Sequence, residues 1–543
     1  MTLDADICYH ALQSRDARFD GRFFTGVRTT GIYCRPVCPA RTPKQSNVTF
    51  YPSAAAAEAA GFRPCMRCRP ETSPGTPAWS GTAASVTRAL RLIDDGFLDG
   101  GSLEDLAGAL GMTSRHVRRL FDQHLGASPV AVAQARRVHF ARRLVAETTL
   151  PITEIAFGAG FASVRRFNTV FQRTFGRPPS AFRREKKVGA GSRGAQPSTR
   201  DAGMTLRLAA RPPFDAAQVL GFIAPRAMPG VEEVDGADSA QSHSTMSRAR
   251  GSGTGVAAPE VAQLSYMRVV RFGGNTGIIE VTTTPDGQLQ LRIPSTLAPH
   301  ALAAVERTRQ MFDMKADPLA IAEHLSDDPI LASLTARFPG VRVPGAWSPF
   351  ETAVRAILGQ QISVAGATTL AGRIVDRYGE RVAADSDVGV THLFPSPERL
   401  VRARVETLGL TKARARAIRV LARASAEGAL APGAELEEIL ERLESLDGIG
   451  PWTAHYVAMR VFGEPDAFPS GDLALRRAAL ELDPGLDTEK KLIARAESWR
   501  PWRAYATMLL WRHYMENEAA ARGRPPSRGA QHDSRNSKGK KRK

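Results

Sequence analysis

The sequence predicts a multidomain chain: a small cysteine-rich α/β domain, an all-α segment with a duplicated helical hairpin, an α+β segment and a second all-α domain. Three observations carry this. The 543 residues exceed what one hydrophobic core organises, so three or four domains are expected. Four of the five cysteines, Cys34, Cys38, Cys65 and Cys68, crowd into a stretch of 35 residues. Apolar residues recur at helical spacing over residues 85–184, alternate over 205–300, and return to helical spacing over 301–520.

Composition then bounds the class. Apolar content of 43% and charged content of 24% are ordinary for a globular chain. No apolar run approaches the ~20 residues of a membrane span, and "MTLDADICYH" carries acids where a signal peptide carries a basic region. A cytoplasmic chain with reduced thiols is expected, where clustered cysteines mean metal or catalysis rather than disulfides. The net charge of +18 is unevenly placed: residues 1–187 carry +12 and residues 521–543 carry +8, leaving −2 for residues 188–520. The ends are suited to a polyanion, although a basic tail equally serves as a solubilising end. If the middle grips DNA, it does so without bulk charge.

Composition shifts also set the boundaries. Residues 1–76 form the cysteine-rich domain and residues 82–187 the helical hairpins. Residues 188–204 are a Gly/Ser-rich linker expected to let the two halves move independently. Residues 205–300 are the strand-rich segment, with Pro285-Asp286-Gly287 between two β-branched runs marking a hairpin. Within it, residues 235–262 are poor in apolar residues and read as a disordered insertion. Residues 301–520 form the helical domain, and 521–543 a basic, disordered tail.

The cysteines are spaced C-x3-C, then 26 residues, then C-x2-C. Zinc takes four thiolates at about 2.3 Å, and such short loops let one turn supply two of them. A Zn2+ site is therefore expected, and spacing alone makes it structural. Cys8 reads as an ordinary buried thiol. The surrounding "FFTGVRTTGIYCRPVCPARTP" and "NVTFYPSAAAAEAAGFRPCMRCRPE" resemble the N-terminal domain of the Ada family of alkylation-response proteins over residues 5–72. That resemblance implies that Cys34 is both zinc ligand and nucleophile, accepting a methyl group from a methylphosphotriester of the DNA backbone. A zinc-held thiolate stays deprotonated at neutral pH. The transfer is stoichiometric, and the lost negative charge should strengthen DNA binding, which makes the lesion a switch.

"SLEDLAGALGMTSRHVRRLFDQHLG" reads as helix-turn-helix. Ser102 caps the first helix with Asp105 three residues on. Leu103, Leu106, Ala107 and Leu110 form its apolar face, Gly111 makes the turn and Thr113 caps the second helix. That helix presents Ser114, Arg115, His116, Arg118 and Arg119. The unit recurs in "LPITEIAFGAGFASVRRFNTVFQRTFGRPPSAFRR", with Gly158 and Gly160 in the turn and Ser163, Arg165, Arg166 and Asn168 on the reading helix. Two such units reach two successive major-groove segments. The pattern resembles AraC/XylS-type domains, which implies promoter DNA as a partner and, for an activator, RNA polymerase.

"LESLDGIGPWTAHYVAMRVFG" holds helix, turn, helix, with Gly448, Ile449 and Gly450 in the turn and Pro451 at the first position of the next helix. Amides at a helix start hold a phosphate without basic side chains, which is how a −2 region can grip a DNA backbone. Downstream, "AFPSGDLALRRAAL" brings Pro469, Gly471 and Asp472. Asp472 is also placed to cap a helix. Order and spacing resemble the helix-hairpin-helix Gly/Pro–Asp glycosylases. Within these, "VRAILGQQISVAGATTLAGRIV" and "SWRPWRAYATMLLWRHY" resemble the AlkA 3-methyladenine glycosylases, a likeness spanning about residues 205–516 and including an AlkA-like N-terminal domain.

The resemblance implies a monofunctional DNA-3-methyladenine glycosylase that hydrolyses the N-glycosidic bond, with Asp472 catalytic and no Schiff-base lysine at the hairpin's end. Trp452, Tyr456 and Trp511 fall at pocket positions, while Trp499 and Trp502 read as core. The wedge that fills the gap of a flipped base falls to Gln361 or Ile362. Together these readings describe a cytoplasmic, nucleoid-associated DNA repair protein and regulator, with no membrane partner. No "PCHR"-type sequence is present and no cysteine follows Cys68, so base methyl transfer is not expected. The rival reading is a zinc-stabilised, non-enzymatic transcription factor with a degenerate glycosylase half.

Overall fold

The computed structural model describes residues 4–73, 84–183, 203–236, 264–382 and 389–522. The expected insertion and basic tail, each beyond its first two residues, and the 188–204 linker before its last two, lie outside them.

The first unit is a four-stranded sheet ordered β3-β1-β2-β4, with β1 Phe24–Val27, β2 Ile32–Cys34, β3 Val48–Tyr51 and β4 Arg63–Pro64. Helix α1 (Ala5–Ser14) buries Cys8 and Ala11 with Phe23. Helix α2 (Ala54–Ala59) lies close because its face is alanine, with Ala57 packed on Phe24 and Tyr33.

Next come α3 (Ala84–Asp94), α4 (Phe97–Gly100), α5 (Leu103–Ala109), α6 (Ser114–Leu125), α7 (Pro129–Glu147), α8 (Ile152–Gly158) and α9 (Val164–Phe175). Local chemistry fixes their ends. Ser102 and Asp105 form a reciprocal capping box before α5, and Thr113 and Ser163 cap α6 and α9. Gly126 and Gly176, both left-handed, stop those two helices. α6 buries Val117, Phe121 and Leu125 at four-residue steps, and α9 buries Phe167, Phe171 and Phe175 in the same rhythm. The duplication is therefore one of caps, stops and core spacing.

The α+β unit is an antiparallel sheet ordered β5-β9-β8-β7-β6: β5 Met204–Leu208, β6 Glu232–Asp235, β7 Ser265–Phe272, β8 Asn275–Thr283 and β9 Leu289–Ile293. The β8–β9 hairpin turns at Pro285-Asp286-Gly287, as the sequence predicts. Helix α10 (Ala216–Ile223) crosses from this sheet toward the last domain. That domain holds α11 (Ala301–Met311), α12 (Pro318–Leu325), α13 (Pro329–Arg337), α14 (Pro349–Leu358), α15 (Val364–Tyr378) and α16 (Pro397–Val401). It continues with α17 (Lys412–Ala426), α18 (Leu436–Glu444), α19 (Pro451–Arg460), α20 (Leu473–Leu482), α21 (Glu489–Ala496) and α22 (Arg503–Arg522).

The expectation that the halves move independently is corrected. The second helix-turn-helix unit and the five-stranded sheet share one apolar core, in which Phe161, Phe167 and Phe171 join Leu206, Leu291 and Leu297. Gly158 sits so tightly on residues 295–300 that a Cβ there would lie 2.5 Å from the Ala298 carbonyl oxygen. On α3, Arg88 pairs with Glu435 at 2.6 Å and Arg91 bonds the carbonyls of Phe462 and Gly463. Linker composition governs only the linker. The apolar surface left uncovered by α7–α9 decides whether the parts dock. Among the described residues no helix is long and apolar enough to cross a membrane.

Candidate functional site

The cysteine cluster is assembled by strand pairing. β2 ends at Cys34, and β4 runs parallel to it with Tyr33 opposite Pro64, so the Cys65 amide reaches the Tyr33 carbonyl at 2.9 Å. The next turn returns Cys68, and the C-x3-C loop folds Cys38 inward. The four sulfurs lie within 4.8 Å of one another, with Cys38 and Cys65 at 4.0 Å. A tetrahedron of ~2.3 Å bonds requires sulfurs about 3.8 Å apart, so the cluster fits Zn2+. The Arg35 amide reaches Cys68 Sγ at 3.3 Å, and the Arg35 side chain, paired with Asp20, donates to the Cys68 carbonyl at 3.1 Å. Each sulfur perturbs the others: contact with Cys38, then Cys65 and Cys68, pushes the Cys34 thiol up, while contact with Cys34 draws Cys38 down to about 7. A cation that takes all four as thiolates resolves this competition. Cys38, Cys65 and Cys68 are buried and Cys34 is half-exposed. Cys8 stands apart, pushed up to about 11 by burial and then by Asp4.

Both reading helices face outward. Arg115, His116, Arg118 and Arg119 on α6 are exposed, with Ser114 half-buried, and Arg165, Arg166 and Asn168 on α9 are exposed. Ser163 precedes α9 as its cap, its side chain accepting from the Arg166 amide.

In the last domain the α18–α19 turn exposes Gly448 and Gly450, while the Ile449 side chain is buried beneath them. Gly448 takes a φ of +91°, and a Cβ there would lie 2.5 Å from Ala417 Cβ, so α17 fixes the turn. Gln360 Nε2 donates to the Gly448 carbonyl at 3.1 Å and to Thr453 Oγ1 at 2.9 Å, which ties the α14–α15 loop to this hairpin. In that loop Gln361 is exposed with a φ of +56°, an unfavourable conformation for a residue with a Cβ, and Ile362 beside it is 37% exposed.

Asp472 does two things at once. Its Oδ1 accepts from the Leu475 amide at 2.9 Å, capping α20. The same oxygen accepts from Trp511 Nε1 at 2.9 Å, and Oδ2 accepts from Trp452 Nε1 at 3.0 Å. Trp452 stacks on Tyr456 at 5.3 Å, Tyr456 leans on Trp511 at 6.2 Å, and Trp511 stacks on Phe222 at 6.0 Å. A half-buried carboxylate thus stands against a cage of four aromatic rings. Phe222 is the member that reading the sequence did not single out. It lies on α10, more than 200 residues before its partners. Trp499 and Trp502 are buried core, as expected, with Trp499 Nε1 donating to Asp328 at 2.7 Å.

Four family descriptions match in order along the chain. They are the metal binding domain of Ada over residues 7–71, a helix-turn-helix domain over 106–185, the AlkA N-terminal domain over 205–348, and the HhH-GPD superfamily base excision DNA repair protein over 354–504. The probable bifunctional transcriptional activator/DNA repair enzyme AlkA of Mycobacterium tuberculosis is 41% identical over 512 residues, 94% of this chain and 96% of that one. The chain belongs to this family of bifunctional activator/DNA repair enzymes. Its AlkA-type portion is also 33% identical to the DNA-3-methyladenine glycosylase 2 of Escherichia coli, over 55% of this chain and 94% of that one. Its Ada-type portion is 34% identical to the bifunctional transcriptional activator/DNA repair enzyme AdaA of Bacillus subtilis, over 33% of this chain and 83% of that one. A zinc site in the Ada-type domain, double-stranded DNA as partner and a glycosylase domain of the HhH-GPD class are thereby established for this chain.

Proposed function

We propose that the chain excises alkylated bases of the 3-methyladenine type through Asp472, accepts methyl groups from DNA methylphosphotriesters on Cys34, and activates transcription once methylated. The observation that supports the first activity most is the double anchoring of Asp472 by Trp452 and Trp511. It holds a carboxylate against a ring cage suited to a flat, electron-poor base. The amides of Gly448–Gly450 hold the DNA backbone, and Gln361, strained and exposed, wedges into the stack as the base flips out. As the C1′–N bond breaks, its electron pair leaves with the base, and the Asp472 carboxylate stabilises the cationic sugar. Water then bonds to C1′ and gives up a proton. No lysine occurs between residues 413 and 489, which supports a monofunctional hydrolase.

Zinc, when bound by Cys34, Cys38, Cys65 and Cys68, keeps the sulfurs deprotonated. The half-exposure of Cys34, where the other three are buried, supports it as the acceptor. Its sulfur attacks the methyl carbon, and the electrons of the methyl–oxygen bond return to the phosphate as that bond breaks. The negative charge lost from Cys34 removes a repulsion toward the backbone. Ser114, Arg115, His116, Arg118 and Arg119, with Ser163, Arg165, Arg166 and Asn168, then read promoter DNA, and RNA polymerase is the partner of the activated protein.

Two measurements test the proposal. The full chain incubated with methylated duplex should leave alkali-labile abasic sites, and their absence defeats the glycosylase reading. Intact mass after exposure to a methylphosphotriester oligonucleotide should rise by one methyl in the parent and not in Cys34→Ala. A gain that survives Cys34→Ala defeats the acceptor assignment.

A further inference from the structure

Three guanidinium groups stand behind the ring cage. Arg226 lies over the Phe222 ring, its Cζ 3.8 Å from the centroid, and Arg460 approaches the same ring at 4.8 Å. Both are clamped. Arg226 Nη1 donates to the Phe222 carbonyl at 2.9 Å. Arg460 donates Nη2 to the Gly345 carbonyl at 3.2 Å, bonds the Pro344 carbonyl through Nε, and gives Nη1 to the Tyr456 hydroxyl at 2.7 Å. Arg355 donates Nη2 to Thr368 at 2.7 Å, and its Nη1 is buried without a hydrogen-bond partner among the described residues. The cage therefore sits in a positive potential. Burial pushes the Tyr456 phenol up, but Arg460, Arg226 and Arg355 outweigh it and hold the phenol below its ordinary value. Burial draws Arg355 down to about 10, which leaves it charged at neutral pH. Of the nearby acids, Asp472 is bonded to the two indoles and Glu232 is paired with Arg268 at 2.8 Å.

We propose that Arg226, Arg460 and Arg355 are positioning residues that make the base pocket electropositive and so set the balance between neutral and cationic bases. The inference rests on the glycosylase reading above and concerns its substrate class. When the C1′–N bond breaks, the electron pair stays on the base. A base with a fixed positive charge becomes neutral, so guanidiniums that oppose its entry oppose it less as the bond stretches. A neutral base becomes an incipient anion, which the same guanidiniums stabilise until it takes up a proton. Tyr456 completes the arrangement. Its oxygen accepts from Arg460, which leaves its own proton free for an acceptor on the departing ring. Both chemical steps gain from this layer, because each departing base takes up one electron pair, but a cationic lesion loses that gain on entering the pocket and a neutral one does not.

The test is single-turnover base release by the full chain at sub-saturating concentration, where entry and chemistry both count, from two duplexes, one holding 7-methylguanine, a fixed cation, and one holding hypoxanthine, which is neutral. Arg226→Gln and Arg355→Gln are the main variants because both side chains are half-exposed, whereas Arg460 is buried in three contacts. The ratio of hypoxanthine to 7-methylguanine release should fall about tenfold, with tighter binding of the cationic duplex. Arg226→Lys, which restores the charge, should bring the ratio back. Equal losses on both duplexes, or an unchanged ratio, overturn the inference while leaving the glycosylase intact. A parent chain that releases neither base overturns the glycosylase reading and this inference together.

Discussion

Trp511 donates its indole N–H to Asp472 Oδ1 at 2.9 Å, the same oxygen that accepts the Leu475 amide at the start of α20. The carboxylate is thus oriented by a helix start on one side and a pocket wall on the other. Replacing Asp472 by Asn separates the two roles. Asn caps a helix about as well as Asp, but its amide nitrogen then faces the Trp452 indole N–H, so the variant should stay folded with a loss of about 1–3 kcal/mol. The negative charge facing the sugar is lost, and base release should fall by about 10²–10³-fold. Parallel melting and base-release measurements check this, and a variant that unfolds and loses activity together would contradict it.

His139 on α7 binds the cysteine-rich domain to the helix-turn-helix pair: its Nε2 lies 2.6 Å from Glu58 Oε1 and 3.1 Å from the Tyr33 hydroxyl. Burial lowers its proton affinity, but Glu58, with a smaller push from Glu71, raises it above the ordinary histidine value overall. A raised folded-state value means that protonation favours the folded form. This contribution is complete below about pH 6.5, the ordinary histidine value, and is lost as pH climbs through the raised one. Urea titrations should show the parent losing stability as pH rises from about 6.5, with Glu58→Gln flattening the loss.

The same contrast separates what could be read from the sequence from what could not. Each cysteine pair, the Ser102–Asp105 box, the Thr113 cap and the Gly448–Gly450 turn are written in residues a few positions apart, and the structure forms each as the local chemistry requires. Phe222 and Arg226, four residues apart, meet Arg460 across more than 200 residues, and nothing near that pair signals it. The left-handed backbone of Gln361 is hidden for another reason. A glutamine gives no warning of positive φ, and the conformation is held by a loop that Gln360 pins to Gly448. Docking of the two halves is likewise a property of surfaces that exist only once α7–α9 have folded.

The burial pattern of the cysteines sorts their variants. Cys38→Ala or Cys65→Ala removes a ligand from inside the cluster, where water cannot replace it, so zinc retained after gel filtration should fall well below one per chain. Cys34→Ala opens the half-exposed corner, where a water can complete the tetrahedron as in an open metal site. It should keep its zinc in dilute buffer and yield it faster to a competing chelator. Equal zinc loss from all three variants would show that Cys34 is no more accessible than the rest.

Gly158 gives a direct handle on the joint between the halves. Gly158 closes α8, where alanine is ordinarily favoured by about 1 kcal/mol. Here an added Cβ meets the Ala298 carbonyl oxygen at 2.5 Å and Ala301 Cβ at 3.8 Å, and a backbone oxygen cannot turn aside as a flexible side chain can. The clash outweighs the helical gain: Gly158→Ala should destabilise by about 1–3 kcal/mol, the usual range for overpacking. Because the residues it forces apart belong to one apolar core that spans the second helix-turn-helix unit and the five-stranded sheet, the loss should fall on cooperativity as well as on midpoint. Urea unfolding followed by tryptophan fluorescence and by far-ultraviolet circular dichroism should coincide in the parent and separate in the variant. Coincident curves in both, at an unchanged midpoint, would mean that α8 does not join the halves.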